Sequence, residues 1–327
     1  MKIKNNFIIA GLVLLVLISL AVISGRYQGV VSITEISNNQ LLQRLILQIR
    51  LPRIILSVIV GAGLAVAGLV MQTVFQNALA DPGVLGINQA SGFGAALGFL
   101  LFPSTNIPVR LISFVSGMAA LLMIIVISRR IKAHRRLTLI FSGIAVSALF
   151  SAGLGVIKYL ADPLDQLPSI VFWLLGSLST TDWTAVGQIA PISVLAIAVL
   201  YLLKWRINVY SLNEEVLFSL GIKGSVEIYC ILGISVLLTA MIISYTGLIG
   251  WVGLIIPNIS KLVFGHDLRR SMPASIIIGA IFVLVSDTFA RTLIAGEIPL
   301  GIITAFLGAL IFILLMLRKG VNSNLAK

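Results

Sequence analysis

Long apolar runs separated by short polar breaks dominate this sequence. A hydrocarbon core about 30 Å thick needs roughly 20 consecutive apolar residues per helix. Runs of that kind lie near residues 6–24, 52–75, 88–102, 109–128, 137–159, 184–203, 228–246, 249–264, 272–290 and 299–317. They predict an all-α polytopic chain with about ten transmembrane helices, forming one transmembrane domain over residues 1–327. The third and eighth runs are short or broken by Gly and Pro, so they predict the least regular helices. The first run follows Lys2 and Lys4; it is long for a secretory signal and no small-residue cleavage site follows it, so it is expected to be retained.

Composition narrows the class. Apolar residues make up 59% of the 327 and charged residues 10%, with a mean hydropathy of +1.11. Soluble domains carry about 25% charged residues, so a water-soluble enzyme and a disordered tail are both excluded. The net charge of +12 reads as topology. If the N-terminus is cytoplasmic and the spans alternate, one side receives sixteen basic residues, including Lys2, Lys4, the cluster Arg129, Arg130, Lys132, Arg135 and Arg136, and also Lys223 and Lys327. The other receives seven: Arg26, Arg44, Arg50, Arg53, Arg110, Lys158 and Arg291. The bias places both termini inside and leaves no nucleic-acid role. A single cysteine, Cys230, excludes an internal disulfide or Cys cluster, and two histidines, His134 and His266, argue against a His-ligated metal. No cofactor is expected.

Five features stand out from the apolar background. Gly143, Ser147, Ser151 and Gly155 recur every fourth residue and share one helical face, for close helix packing or to line a pore; Gly61, Ala65 and Gly68 offer a weaker version. Arg50-Leu51-Pro52-Arg53 opens the second span, with Pro52 suited to a first helical turn and outward arginines that either snorkel to lipid headgroups or await an anionic partner. The stretch Asn77 to Gly86 is an ordinary loop or a gate, with a turn at Pro82-Gly83 and Gly86 permitting tight re-entry. Around Glu214 and Glu215, Asn213 can cap a short helix that Gly221 ends, exposing Val216, Leu217 and Leu220 to a soluble partner or to the lipid surface. Asp287 and Arg291, at i and i+4, can neutralise each other, or Arg291 can face a partner beside Arg50 and Arg53.

In this order, these pieces resemble the FecCD-type permeases, the membrane subunits of ABC importers for ferric siderophores, haem and vitamin B12. The resemblance runs from Arg50 to Phe312 and also rests on Phe172 to Leu178, Gly253 to Pro257, Gly265 to Arg270 and Glu297 to Gly301. It implies the type II ABC importer permease architecture: a dimer with the path between the copies, two cytoplasmic ATP-binding subunits, and an extracytoplasmic substrate-binding protein. By motif position, Arg50, Arg53 and Arg291 look like the arginines that dock the binding protein. Glu215 to Gly221 looks like the ATPase coupling helix, and Asn77 and Leu79 match the cytoplasmic gate. The chain departs from the family's usual residues at Asn258, Ala78, Leu310, Val216 and Leu217, which bears on ATPase fit and cargo.

The sequence holds no G-x-x-x-x-G-K-[ST] phosphate loop, so ATP hydrolysis would fall to another polypeptide. An ion-coupled secondary transporter would need midplane ionisable sites, and Asp287 alone is a candidate. A membrane-embedded enzyme would need a catalytic constellation that the sequence does not offer. Ferric siderophore is the leading cargo, with haem, cobalamin and molybdate as alternatives.

Overall fold

A computed structural model describes residues 2–25, 29–30, 39–102, 105–131, 135–212, 214–222, 225–294 and 296–325. Arg26, Lys132, His134, Asn213, Lys223 and Lys327 lie outside the described residues. In chain order the elements are α1 (Lys2–Ile23), the two-residue antiparallel pair β1 (Ser24–Gly25) and β2 (Gly29–Val30), α2 (Gln40–Val74), α3 (Ile87–Leu101), α4 (Asn106–Arg130), α5 (Arg135–Leu160) and α6 (Gln166–Leu174). There follow α7 (Trp183–Leu202), α8 (Lys204–Val209), α9 (Glu214–Ser219), α10 (Ser225–Thr246), α11 (Val252–Phe264), α12 (Leu268–Thr292) and α13 (Leu300–Leu325). All ten apolar runs are helical. Among the described residues eight helices are long and apolar enough to cross a membrane; the third and eighth runs form the shorter α3 and α11, of 15 and 13 residues.

The longest helix, α2, is the central post. It packs against α12, α11, α10 and α7, and every residue from Val60 to Val74 is buried. It begins twelve residues before Pro52, capped by Asn39, whose Oδ1 accepts from the Leu41 and Leu42 N–H groups. Proline is therefore inside a continuous helix, where its ring opposes the preceding turn. The chain accommodates it with one π-helical turn, Ile46–Arg50, in which the Leu51 N–H reaches back to the Ile46 carbonyl. The Leu47 carbonyl then loses Leu51 as a donor, and Pro52 has no N–H to offer. The Trp183 indole N–H supplies the missing bond at 2.9 Å.

Small residues let the helices around α2 approach backbone to backbone. Gly61 faces Gly279 of α12, and Gly68 faces Gly253 of α11, so that a Cβ at either α2 position would land on the opposing glycine's carbonyl. The sequence motif Gly61, Ala65, Gly68 is thus a packing surface.

Hydrogen bonds gather the element ends into two groups. At the Arg53 end lie the close of α1, the Arg50 to Arg53 turn of α2, the close of α12 and the start of α13. At the Gln76 end lie the close of α2, the segment 203–212, and the approaches to α5 and α12. Arg129, Arg130, Arg136, Lys204, Arg206, Lys261, Arg269 and Arg270 belong to the second end, the one the charge bias assigns to the cytoplasm.

Candidate functional site

At the Arg53 end, five charged side chains converge. Arg53 donates from Nε to both Asp287 oxygens, at 2.9 and 3.1 Å, and from Nη1 to Glu297 Oε1 at 2.9 Å. The Arg53 and Asp287 side chains are 8% and 1% exposed. Arg50 donates to the Val22 and Ile23 carbonyls at 2.9 and 3.4 Å, and Arg291 to the Ala21 carbonyl at 2.6 Å. These carbonyls close α1, where backbone acceptors lack intrahelical donors and cations are favoured.

This geometry refines one expectation and corrects another. Asp287 does not hydrogen-bond Arg291, its i+4 neighbour; it is held by Arg53, whose planar fork fits a carboxylate in bidentate fashion. Nor do the arginines lack internal partners: all three are buried and bonded within the chain. The contribution of Glu297 was legible only as part of a motif, because its partner lies 244 residues away.

The Glu297 segment leads to a second junction. The Ile298 N–H bonds the Ala290 carbonyl at 3.0 Å and the Gly301 N–H bonds the Leu175 carbonyl at 3.1 Å. Gly176 and Gly247, with φ of 71° and 67°, meet here with Gly301. A side chain on any of the three would strike a neighbouring carbonyl, so α6, the link after α10 and the start of α13 touch through bare backbone.

The Gln76 end is built around the loop after α2. Gln76 adopts φ 49°, and its Nε2 donates to the carbonyls of Tyr210, Ser211 and Leu212. Arg136 Nη2 reaches the same segment, at 3.0 Å from Tyr210 and 3.1 Å from Leu212. Asn77 Oδ1 accepts from the Leu79 N–H at 2.9 Å, leaving the Leu79 side chain exposed. Asn258, at one of the departures from the family pattern, donates to the Ala78 carbonyl at 2.9 Å. A cavity of about 410 Å³ opens between Gln72, Asn77, Asn258, Lys261 and His266. Within the loop, burial pushes the Asp81 carboxyl above its ordinary range, opposed by the N–H groups of Val84 and Gly83.

The loop returns at Gly86, φ 73°, which caps α3 and rests on the Ser147 backbone. This divides the small-residue face of α5. Gly143 and Ser147 pack against Val84 to Gly86, whereas Ser151 and Gly155 are exposed. Only the second pair is available to a path.

Beyond residue 212, α9 projects with Glu215, Val216 and Leu220 exposed. Leu217, expected at the exposed face, is instead 7% exposed and packs into the core. On a helix, 216 and 220 share a face and 217 turns from it. The helix ends at Gly221, φ 71°, with the Ile222 N–H bonding the Leu217 carbonyl at 3.0 Å, the six-to-one bond of a glycine cap.

Known proteins with this architecture give it a context. Residues 11–318 match the FecCD transport family. A molybdate import system permease protein of Haemophilus influenzae is 36% identical over 96% of this chain and 97% of its own. A Helicobacter pylori protein named "Probable iron chelatin transport system permease protein" is 39% identical over 85% of this chain and 84% of its own. A solved metal-chelate type ABC transporter in an inward-facing conformation superposes with a TM-score of 0.89 at 33% identity, covering 96% of this chain and 99% of that one. Such relatives are transport subunits and not enzymes, in keeping with a sequence that has no phosphate loop of its own. A multi-pass helical chain matched from residue 11 to residue 318 belongs to the FecCD transport family, as the permease subunit of an ABC importer.

Proposed function

We propose that this chain carries a metal chelate, in the first instance a ferric siderophore, inward across the plasma membrane of a prokaryote with both termini cytoplasmic. The likeness to the iron chelatin permease, at 39% identity, carries this reading. A second reading, molybdate, is supported by the relative that aligns over 96% of the chain. The experiment is a mild-detergent pull-down from the native membrane, followed by titration of the co-purifying binding protein. Saturable binding of a ferric siderophore and none of molybdate is expected; molybdate binding alone would replace the first reading by the second, and haem or cobalamin binding alone would reject both.

In this reading two copies enclose the path, with Ser151 and Gly155 facing it and Asn77 and Leu79 closing its inner mouth. The binding protein settles on the Arg53 end. Arg50, Arg53 and Arg291 act there from below the surface, where charge pairs with an acidic docking face would fix its orientation. Membrane lipid surrounds the remaining helices.

Two ATP-binding subunits dock on α9 through Glu215, Val216 and Leu220, with Leu217 and Gly221 fixing the helix beneath; the Glu214 side chain lies outside the described residues. Leu220 is 59% exposed, so Leu220→Asp is expected to leave thermal melting unchanged and to remove the ATPase from the purified complex. Undiminished co-purification would count against α9 as the docking element.

A further inference from the structure

A cavity of about 310 Å³ at the Arg53 end, separate from the charge cluster, has walls of Phe99, Phe172, Trp173 and Tyr245. That volume is at the lower limit of small-molecule sites, which combine apolar walls with a few convergent polar groups. The guanidinium of Arg110 lies over the Tyr245 ring, 4.5 Å from its centroid, and the Tyr245 hydroxyl is fixed by its 2.8 Å bond to Gln188 Oε1. No carboxylate lines the cavity, and among the described residues Arg110 has no ion pair or hydrogen bond.

The hydroxyls in the lining divide by where their protons go. Ser169, Ser244 and Thr246 donate to backbone carbonyls, and Ser177 donates to Ser179. Ser179 and Thr180 keep their own protons uncommitted among the described residues, and both are exposed. A cation and two hydroxyl donors, without an acidic acceptor, face a chamber with flat aromatic walls. Charge-assisted hydrogen bonds select the anion, and stacking selects a flat body.

We propose that this cavity is a binding site for an aromatic anion, a ring bearing a carboxylate or phenolate, with Arg110, Ser179 and Thr180 holding the charged group and Phe172 and Trp173 the ring. Trp173 adjoins the glycine junction of α6 and α10. An aryl arm of an arriving chelate bound there would therefore rest against segments that meet the start of α13, four residues on from Glu297. That link to cargo rests on the transport reading above; the binding itself does not.

The test is equilibrium dialysis of radiolabelled salicylate against the purified protein in phosphatidylcholine nanodiscs. One saturable site is expected, weakened about tenfold or more in Arg110→Gln and unaffected by the neutral amide as competitor. Should Arg110→Gln fail to fold, the Ser179→Ala/Thr180→Val double variant is expected to weaken binding in the same direction. Equal competition by the amide, wild-type affinity in a folded variant, or no saturable binding would overturn the site. Displacement of salicylate by phosphatidylglycerol added to the discs would show a headgroup phosphate as the occupant and overturn the aromatic assignment. Normal salicylate binding with aryl-chelate transport insensitive to Arg110→Gln would remove the cargo link alone.

Discussion

Replacing Asp287 by alanine is expected to destabilise the protein by about 3–5 kcal/mol, the range for removing one partner of a buried ion pair. The carboxylate is buried and bonded at two oxygens to Arg53. Its loss leaves Arg53, 8% exposed at the side chain, with only the single Glu297 contact at 2.9 Å. The cost comes mainly from the cation left behind, because a buried charge without its counter-ion retains its desolvation penalty. The double variant Arg53→Met/Asp287→Leu removes that orphan and should recover much of the loss. Thermal melting of the detergent-purified proteins decides: a single variant as stable as wild type, or a double variant no better than the single, would show that the pair is not what holds this end together.

Gly68→Ala should be nearly as damaging, although it adds only a methyl group. That carbon would coincide with the Gly253 backbone, so α2 and α11 must move apart along their shared contact. Overpacking usually costs about 1–3 kcal/mol where side chains can yield; here the obstacle is main chain, and the expected result is the upper end of that range or failure to fold. Gly187→Ala is the matched control, since nothing lies within 4 Å of a Cβ there, and it should be silent or slightly stabilising. Equal yields of monodisperse protein from the two variants would mean that the α2–α11 contact tolerates separation.

What could be read in the sequence was what repeats or sits close in the chain. The ten apolar runs became ten helices because bilayer thickness and hydropathy act locally. The turn at Pro82-Gly83, the re-entry at Gly86 and the end of α9 at Gly221 were legible because turn and cap chemistry is also local. The pairing of Arg53 with Asp287 spans 234 residues, and nothing in residue spacing distinguishes it from the i, i+4 alternative with Arg291. Leu217 shows the same limit on a smaller scale: a six-residue helix has too few positions to reveal which face is turned inward. The extension of α2 back to Gln40 was hidden by Pro52, whose accommodation needs a π turn and a tryptophan 136 residues from the Leu47 carbonyl it satisfies. The small-residue repeat on α5 was visible, but its division between loop packing and open surface depends on where Gly86 lands.

The carbonyls of residues 210–212 are gripped from two sides, by Gln76 beyond α2 and by Arg136 at the start of α5. The described part of α9 begins two residues after that segment. The segment that leads to α9 is thus tied at once to the central post and to the helix that carries Ser151 and Gly155, through one side chain from each. Both donors fan over neighbouring carbonyls, so a shift of the segment by one residue would exchange acceptors while leaving each donor a bond.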